Sequence, residues 1–345
     1  METHQVYQDI ENHYKIDEHK DKLVGIAEEW IATEKIHGAN FSIYVSEKEG
    51  EGEGEREMVI RYGKRNSFLD KNEAFFNYQQ VVKKYQESFT KIFHLVKSSV
   101  AENVVVQIIG EIFGGVYDHP DVKPHSCKHV QKGVSYIPFV DIMIFDIYYY
   151  RESERYRQVM NYDEMMRIVH STDLRVPPVV CRGSFEEVFQ TSEVFQTMIP
   201  PIYGLPKISN NFAEGFVFRP VETTRNRFGR IHIYKKKNAK FNERPNPKKK
   251  APNPEEMNKK KMIQHMKETI QTYVNMNRIE SAVSKIGEMT SENKKLIVDE
   301  IVRDVLKDLT EDVIDTWVKM GVNLGEIKKM INGIVRFTIH QMSNS

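Results

Sequence analysis

This sequence has few cysteines, no long apolar run and almost no net charge. Its two cysteines, Cys127 and Cys181, cannot form a disulfide framework, so we expect a reducing compartment. The most apolar run, Val104 to Val116, is interrupted by Gln107 and Glu111 and is too short to span a bilayer. The first residues have neither a basic nor an apolar segment of the kind that directs secretion. We therefore expect a cytoplasmic protein without membrane contact, although an organelle also fits.

What is present is the composition of a globular protein, with 40% hydrophobic and 29% charged residues in a chain of 345. This length is enough for two domains with substantial cores. The net charge of +1 indicates no particular partner, but Lys235 to Lys261 holds eleven Lys/Arg and three Asp/Glu, a balance of +8 that leaves −7 elsewhere. Such a stretch could bind a phosphate backbone, or it could be a solvated linker punctuated by prolines. These are Pro245, Pro247, Pro252 and Pro254.

Alternating and continuous apolar segments predict an α+β fold before residue 242. We predict a long helix over 72–97 and a second helix that begins at Ser184, where Ser184 and Glu187 form a capping box. The predicted strands are 29–33, 40–46, 58–64, 103–113, 140–149, 214–219 and 230–237. The strand at 40–46 alternates polar and apolar residues, which is typical of a strand with one buried face.

The C-terminal part has a different residue pattern, because no alternation typical of strands appears after Glu255. Apolar residues recur there at helical spacing, and Thr310 followed by two acidic residues predicts a helix start. The helical-spacing set is Leu296, Ile301, Val302, Val305, Leu306 and Leu309. We predict three parts, namely a domain over 1–242, a Pro/Lys-rich linker over 243–256 and a small all-helical domain over 257–345.

The most informative motif is Lys35-Ile-His-Gly-Ala-Asn40, which places one lysine on a loop between two predicted strands. Gly38 allows a tight bend and a close backbone approach. A lysine in this position is held by a rigid scaffold and remains reachable, as a group that attacks a nucleotide phosphate must be. The alternative is a surface turn with an ordinary solvated lysine.

Further polar residues end the neighbouring predicted strands, and we expect them to converge on Lys35. In the last strand, Ile231, Ile233, Lys235 and Lys237 share one face because side chains alternate. If the isoleucines are buried, the lysines point the same way and need an anion such as a triphosphate. The alternative is a frayed strand end with both lysines in water. The other residues at strand ends are Arg65, Glu111 and Glu214.

In this order, the motifs resemble those of the covalent nucleotidyltransferases, and more narrowly the RNA ligase 2 family of phage double-strand RNA ligases and trypanosome RNA-editing ligases. DNA ligases and capping enzymes usually have Asp where this chain has His37. The segments that carry the resemblance are Lys35–Asn40, Lys64-Arg65, Phe75-Phe76, Gly110–Gly114, Phe145–Ile147, Tyr203–Pro206, Glu214-Gly215, Lys235–Phe241, Tyr273–Arg278 and Ser284–Gly287.

The resemblance implies a nucleotidyltransferase domain, an ATP-grasp-like adenylyltransferase of mixed antiparallel sheets with flanking helices, followed by an all-α domain. It implies that Lys35 attacks the α-phosphate of ATP, that the AMP passes to an RNA 5′-phosphate, and that a 3′-OH then displaces it. The cofactors would be ATP and Mg²⁺ or Mn²⁺, and the partner a nicked RNA duplex. Nothing in the sequence itself demands more than a monomer.

The same resemblance assigns roles to individual residues. The implied catalytic set is Lys35, His37, Lys235 and Lys237. The nucleotide-binding set is Glu34, Ile36, Asn40, Arg65, Glu111, Phe145, Glu214, Lys235 and Lys237. Within it, Glu34 would contact the adenine edge, Phe145 would stack on the base and Glu111 would hold the ribose. Glu214 would help to place the metal, and cations around Lys35 would favour its neutral, nucleophilic form.

Other activities remain open from the sequence. One is a DNA ligase or capping enzyme. Those enzymes usually have a β-rich barrel after the catalytic domain, whereas the pattern of this chain predicts helices there. Another is a duplex-RNA binding protein that no longer seals. A zinc site from Asp118, His119, His125, Cys127 and His129 matches no standard spacing, so a polar loop near the active site is the simpler interpretation.

Overall fold

The computed structural model describes residues 3–50, 55–100, 103–151, 157–241, 259–309, 311–319 and 321–343. The chain divides into two compact units, Met1–Lys240 and Phe241–Ser345. The predicted linker over 243–256 lies outside the described residues, as does Thr310. The domain limits at 242 and 257 therefore stay predictions.

The first unit combines two sheets, antiparallel apart from one short parallel pair at an edge, with flanking helices, so the α+β prediction is confirmed. The strands are β1 Glu11–Asn12, β2 Trp30–Glu34, β3 Ala39–Glu49, β4 Arg56–Lys64, β5 Ser67–Phe68, β6 Val105–Gly114, β7 Val140–Tyr150, β8 Gln158–Val159, β9 Val179–Gly183, β10 Gly215–Pro220 and β11 Tyr234–Lys237. One sheet has the strand order β1-β11-β10-β2-β9 and the other β5-β4-β3-β6-β7-β8. The helices are α1 Tyr78–Val100, α2 Tyr162–His170, α3 Phe185–Gln190 and α4 Ile199–Ile202.

β3 is buried on both faces as far as Val45, so the prediction of one buried face was wrong. The N-terminal segment covers the second face. The Tyr44 hydroxyl accepts a hydrogen bond from Gln5 N at 3.1 Å and donates one to Gln5 O at 3.0 Å. Gln107 Nε2 also donates to Gln5 O. Burial of both faces fits a strand that lies between two neighbours in the middle of a sheet.

The long helix α1 begins at Tyr78 and not at residue 72. Phe76 and Asn77 have φ angles of 46° and 54°, and this left-handed conformation interrupts a helix. Phe75 and Phe76 turn inward, with exposed fractions of 1% and 6%. The aromatic pair therefore fills the core beside α1 instead of forming its first turn. The predicted capping box of α3 is present, since Ser184 and Glu187 bond reciprocally.

The second unit is helical throughout its described residues, as predicted. Its helices are α5 Lys259–Tyr273, α6 Met276–Ile286, α7 Lys294–Asp308, α8 Glu311–Lys319 and α9 Leu324–Ser343. The apolar residues at helical spacing lie in or directly after α7 as predicted; Leu296 is 59% exposed, whereas Ile301 and Val305 are buried. The buried Arg278 donates to Asp308 at 2.7 Å, which pairs its charge inside the core.

No helix among the described residues has both the length and the apolar character to cross a membrane.

Candidate active site

The site lies where four strand ends of the first unit meet. β2 ends at Glu34 and β3 begins at Ala39, so the loop between them carries the Lys35 motif. The Lys35 amide donates to Gly215 O at 2.9 Å, which holds this loop against the start of β10. β11 is paired antiparallel with β10 and places Lys237 opposite Gly215. The predicted convergence on Lys35 thus arises from the pairing of β2, β10 and β11.

Gly38 is required by a close backbone approach. A Cβ atom at this position would lie 2.1 Å from Ile112 O and 3.0 Å from Glu111 Cγ. The first distance is far shorter than any real carbon contact, so a side chain here would push the loop away from β6. Gly38 therefore brings the Lys35 loop against the strand that carries Glu111.

Glu214 is the centre of the site, with its carboxylate bonded on both oxygens. Lys35 Nζ donates to Oε2 at 2.7 Å, and His37 Nδ1 lies 3.2 Å from the same oxygen. Lys237 Nζ lies 3.0 Å from Oε1. The Glu214 side chain is 2% exposed, whereas that of Lys35 is 20% exposed. The reactive lysine is consequently recessed but reachable.

Burial alone would raise the pKa of the Glu214 carboxyl, but Lys35, Lys237 and His37 outweigh that effect and hold this pKa well below its usual range. The carboxylate is therefore ionised at neutral pH. The sequence placed Glu214 near Lys35 but assigned it to the metal, whereas in the structure its carboxylate pairs directly with the Lys35 ammonium. An ion pair stabilises an ammonium group, so the pair with Glu214 must open before Lys35 can act as a nucleophile.

Glu111 and Asn40 lie opposite each other in the β3–β6 register. Burial and the neighbouring Glu214 raise the pKa of Glu111 to about 7, against the opposing effects of Lys35, Arg65 and His37. Arg65 itself donates to Asp9 at 2.6 Å. Glu111 thus lies opposite Asn40 and within electrostatic reach of Lys35 and Arg65, and it can change protonation near neutral pH.

Glu34 precedes Lys35 but is held differently. Its exposed fraction is 1%, and it accepts hydrogen bonds from Thr197 Oγ1 at 2.5 Å and Met198 N at 2.8 Å. Burial raises the pKa of Glu34 to about 7, although these two hydrogen bonds oppose the rise. The carboxyl group is therefore anchored to the segment before α4, and its contact with adenine stays a prediction.

Replacing Glu34 by glutamine is expected to change how stability depends on pH. The folded state favours the protonated carboxyl, because its pKa lies at about 7 instead of 4.5. The wild type therefore loses stability as the pH rises from 4.5 through 7, by about 3 kcal/mol at this site. Glu34→Gln lacks this loss, so its free energy of unfolding relative to wild type should increase over the same window.

Urea unfolding at pH 4.5 and pH 8 measures the difference. Glu186→Gln changes an exposed carboxylate in α3 and serves as the matched control. If wild type and Glu34→Gln change in stability by the same amount between the two pH values, the raised pKa of Glu34 in the folded state is contradicted.

Phe145 occupies a bulge in β7. In the register with β6, Ile109 lies opposite Asp146 and Gly110 lies opposite Ile144, so Phe145 is the extra residue. A bulge redirects a side chain, and here the Phe145 ring packs near Val217 and 5.3 Å from the Tyr7 ring. The ring is half-buried on the face that β10 and β11 share. That placement suits an aromatic platform, and stacking on a base stays a prediction.

Lys235 lies opposite Val217 in the β10–β11 register, on the same face as the Phe145 cluster. Ile231 and Ile233 are buried, as we expected from the alternation of side chains along this strand. The predicted strand over 230–237 was too long, since β11 begins only at Tyr234. The preceding residues form a tight turn in which Ile231 is bridged to Arg225.

Three residues that contact the site were missed by sequence reasoning. The Tyr136 hydroxyl accepts the His37 amide at 2.9 Å, which fixes the loop after Lys35. Thr197 and Met198 hold Glu34. All three come from segments far away in the sequence and lie outside any local motif, so no spacing signal could have found them.

The histidine-rich stretch from Asp118 to His129 forms no metal centre among the described residues, because no group of three or more His, Cys, Asp or Glu side chains could hold an ion there. His119 Nδ1 lies 3.8 Å from Asp121, at the surface. Within the described part of the chain, Glu214 also has no such group around it, so the predicted metal contact would involve few protein ligands.

Comparison with known proteins gives two family matches. Residues 28–237 match the RNA ligase model, and residues 257–336 match the C-terminal model of T4 RNA ligase 2. Mitochondrial RNA-editing ligase 2 of Trypanosoma brucei brucei is 29% identical over 349 residues, which cover 86% of this chain and 80% of that protein. Mitochondrial RNA-editing ligase 1 is 30% identical over 226 residues, covering 59% of this chain and 46% of that protein.

Among solved structures, a mutant Naegleria gruberi RNA ligase with ATP and Mn has a TM-score of 0.45 and 14% identity, covering 70% of this chain and 58% of that one. An archaeal ATP-dependent RNA ligase has a TM-score of 0.39 and 11% identity, covering 97% and 74%. Because the RNA ligase model matches more than half of the chain and the T4 RNA ligase 2 model matches its helical part, the protein belongs to the RNA ligase family, in its RNA ligase 2 branch.

Proposed function

We propose that the protein is an ATP-dependent RNA ligase that joins 3′-OH and 5′-phosphate RNA ends, preferably at nicks held in a duplex. The observation that carries this proposal is the recessed Lys35 ammonium, 2.7 Å from Glu214 Oε2, with Lys237 Nζ 3.0 Å from the other oxygen. This arrangement combines a nucleophile, a partner that can release it and a second cation for the phosphate under attack.

The reaction follows from an amine nucleophile. Lys35 Nζ loses a proton and forms a bond to the α-phosphorus of ATP, while the bond to pyrophosphate breaks. The oxygen of an RNA 5′-phosphate then attacks the adenylate phosphorus and frees Lys35. Finally the 3′-OH attacks the activated 5′-phosphate, and AMP leaves. A phosphoramidate conserves the activation of the phosphate between these transfers.

The resting ion pair also supports this proposal. Glu214 keeps Lys35 aimed into the pocket, and His37 lies close enough to the same oxygen to replace it when the pair opens. Lys237 remains beside the α-phosphate position and stabilises the negative charge that collects there. Lys235 on the same strand face extends that positive surface.

The donor groups fit Mg²⁺ or Mn²⁺. Both ions prefer oxygen ligands, and Mg²⁺ is usually held by one or two carboxylates together with substrate phosphates and water. Glu214 offers such a carboxylate beside the reactive lysine, and Glu111 lies close enough for its charge to act on the same groups. When bound, the ion would supply positive charge at the triphosphate.

The remaining residues would bind the nucleotide and the broken strand. We propose that Glu34 and Phe145 contact the adenine and that Glu111 holds the ribose. The other members of the proposed binding set are Ile36, Asn40 and Arg65, with His37 acting at the nucleotide or the nick.

A ligation panel tests the proposal. The protein is incubated with ATP and Mg²⁺ on splinted nicks whose two strands are RNA, DNA or mixed, and on the same strands without a splint. We expect the nicked RNA duplex to be sealed fastest. Equal sealing of an all-DNA nick, or a GMP adduct in place of AMP, would favour a DNA ligase or capping-type enzyme instead. Binding of duplex RNA without turnover on a pre-adenylated nick would support a non-sealing protein.

A monomeric state and a cytoplasmic location are further proposals. The two trypanosome relatives are named as mitochondrial, so fractionation of the native cells should test an organelle as well.

A further inference from the structure

Phe228 is the most exposed large apolar side chain among the described residues, with an exposed fraction of 74%. It lies in the connection between β10 and β11, in a segment that we call the arginine tip, residues 225–230. A single exposed apolar side chain needs no explanation by itself. The surroundings of Phe228 are what make it informative.

The arginine tip is held rigidly. Asn226 Oδ1 accepts hydrogen bonds from Phe228 N at 2.9 Å and Arg230 N at 3.1 Å, and Asn226 N donates to Arg230 O at 2.8 Å. Arg225 donates to Gly229 O at 2.8 Å across the turn. The backbone that presents Phe228 is therefore organised before any partner arrives, which lowers the entropy cost of binding.

The tip is also positively charged. Residues 225–230 contain three arginines and no acidic residue. The Arg227 guanidinium lies 4.7 Å from the centroid of the Phe228 ring. Arg230 forms a long, exposed ion pair with Glu11, whose Oε1 lies 3.7 Å from the guanidinium. An exposed ring flanked by guanidinium groups is the combination with which proteins bind bases and phosphates of a single strand.

The tip is anchored at the end of β10 that lies away from Lys35. β10 starts at Gly215, beside Glu214, and ends at Pro220, so its length is about 17 Å at ~3.4 Å per residue. At the root of the tip, Arg225 donates to Arg157 O, and Arg157 donates to Val6 O, both at 2.9 Å. The tip is thus a site separate from the catalytic pocket, at the opposite end of the same strand.

We propose that the arginine tip binds single-stranded RNA that extends from the ligation substrate. One base stacks on Phe228, and Arg227 and Arg230 contact the neighbouring phosphates. Duplex RNA buries its base faces in the helix, so an aromatic ring recognises unpaired bases in preference. This inference rests on the proposed function for the identity of the RNA, and it adds a second contact at a distance from the break.

Binding without ATP tests the tip separately from catalysis. Fluorescence anisotropy compares a nicked RNA duplex with blunt ends and the same duplex with a single-stranded extension of about eight nucleotides on either side. Stacking of one base predicts that wild type binds the extended duplex about 5- to 150-fold more tightly. Phe228→Ala and Phe228→Leu should lose this gain, whereas Phe228→Trp should keep it because the aromatic face remains.

Two further measurements complete the test. Arg227→Ala should lower the slope of log affinity against log salt by about one on the extended duplex. Phe337→Ala removes another exposed phenylalanine, 58% exposed in α9, and is expected to bind like wild type. Circular dichroism of each variant checks folding.

A wild type that shows no gain from the extension, or a Phe228→Ala variant that keeps it, would overturn the tip proposal. Formation of the AMP adduct without RNA is measured in parallel. Wild-type protein that forms no adduct would instead count against the proposed ligase function, and the binding comparison would still decide the role of the tip.

Discussion

Replacement of Lys35 by alanine is expected to abolish the covalent AMP adduct. The Lys35 amine is the proposed nucleophile, and loss of a catalytic nucleophile costs on the order of a million-fold in rate. Intact-protein mass spectrometry after incubation with ATP and Mg²⁺ detects the adduct on wild type. The adduct should be undetectable on Lys35→Ala.

Two controls separate chemistry from folding. Lys35→Arg keeps a cation next to the ionised Glu214, so the pocket retains its charge balance, but a guanidinium is always protonated and should form no adduct. A pre-adenylated RNA nick bypasses the first two steps, and Lys35→Ala should still seal it, since Lys237 and Glu214 remain. An adduct that survives on Lys35→Ala would refute the covalent mechanism.

Replacement of Gly38 by alanine is expected to disable the site without removing any reactive group. The new Cβ would lie 2.1 Å from Ile112 O, a backbone atom in a central strand that cannot easily move. The loop must shift instead, which displaces Lys35 and His37 from Glu111. Displacement by about 1 Å can cost ~100-fold in rate, and overpacking costs about 1–3 kcal/mol of stability.

Single-turnover adduct formation and urea unfolding measure the two effects of Gly38→Ala. Gly333→Ala is the matched control, because an added Cβ in α9 meets no atom within 4 Å. Alanine also favours a helix more than glycine by about 1 kcal/mol, so this variant should be as stable as wild type or more so. Full activity of Gly38→Ala would show that the close approach to β6 does not position Lys35.

The positions of most of the site residues could be predicted from the sequence because Lys35, Glu214 and Lys237 lie at the ends of strands with a clear pattern. Lys35, Glu111, Glu214 and Lys237 were all predicted, and the structure brings Lys35, Glu214 and Lys237 into contact. The shared face of Ile233, Lys235 and Lys237 followed from the two-residue repeat of a strand. Such a shared face can be predicted from a local pattern, since it depends only on neighbours along the chain.

Errors arose where long-range packing overrode the local pattern. The start of α1 was placed too early because Phe75 and Phe76 are drawn into the core, and β11 was predicted too long because the arginine tip turns the chain before Tyr234. Tyr136 and Thr197 reach the site from distant segments, which no spacing along the chain records.

The sequence by itself determined the family motifs, the α+β character of the first unit and the helical second unit, because these follow from residue types and their periodicity. Only the tertiary structure decided that Lys35 rests against an ionised Glu214, that Glu34 is anchored by Thr197, and that Phe228 projects from a rigid tip. These features depend on which strands pair and in what register. When distant strands pair, they bring charged and other side chains into contact. The energies of these contacts depend on residues far apart in the chain, so no local stretch of sequence predicts them.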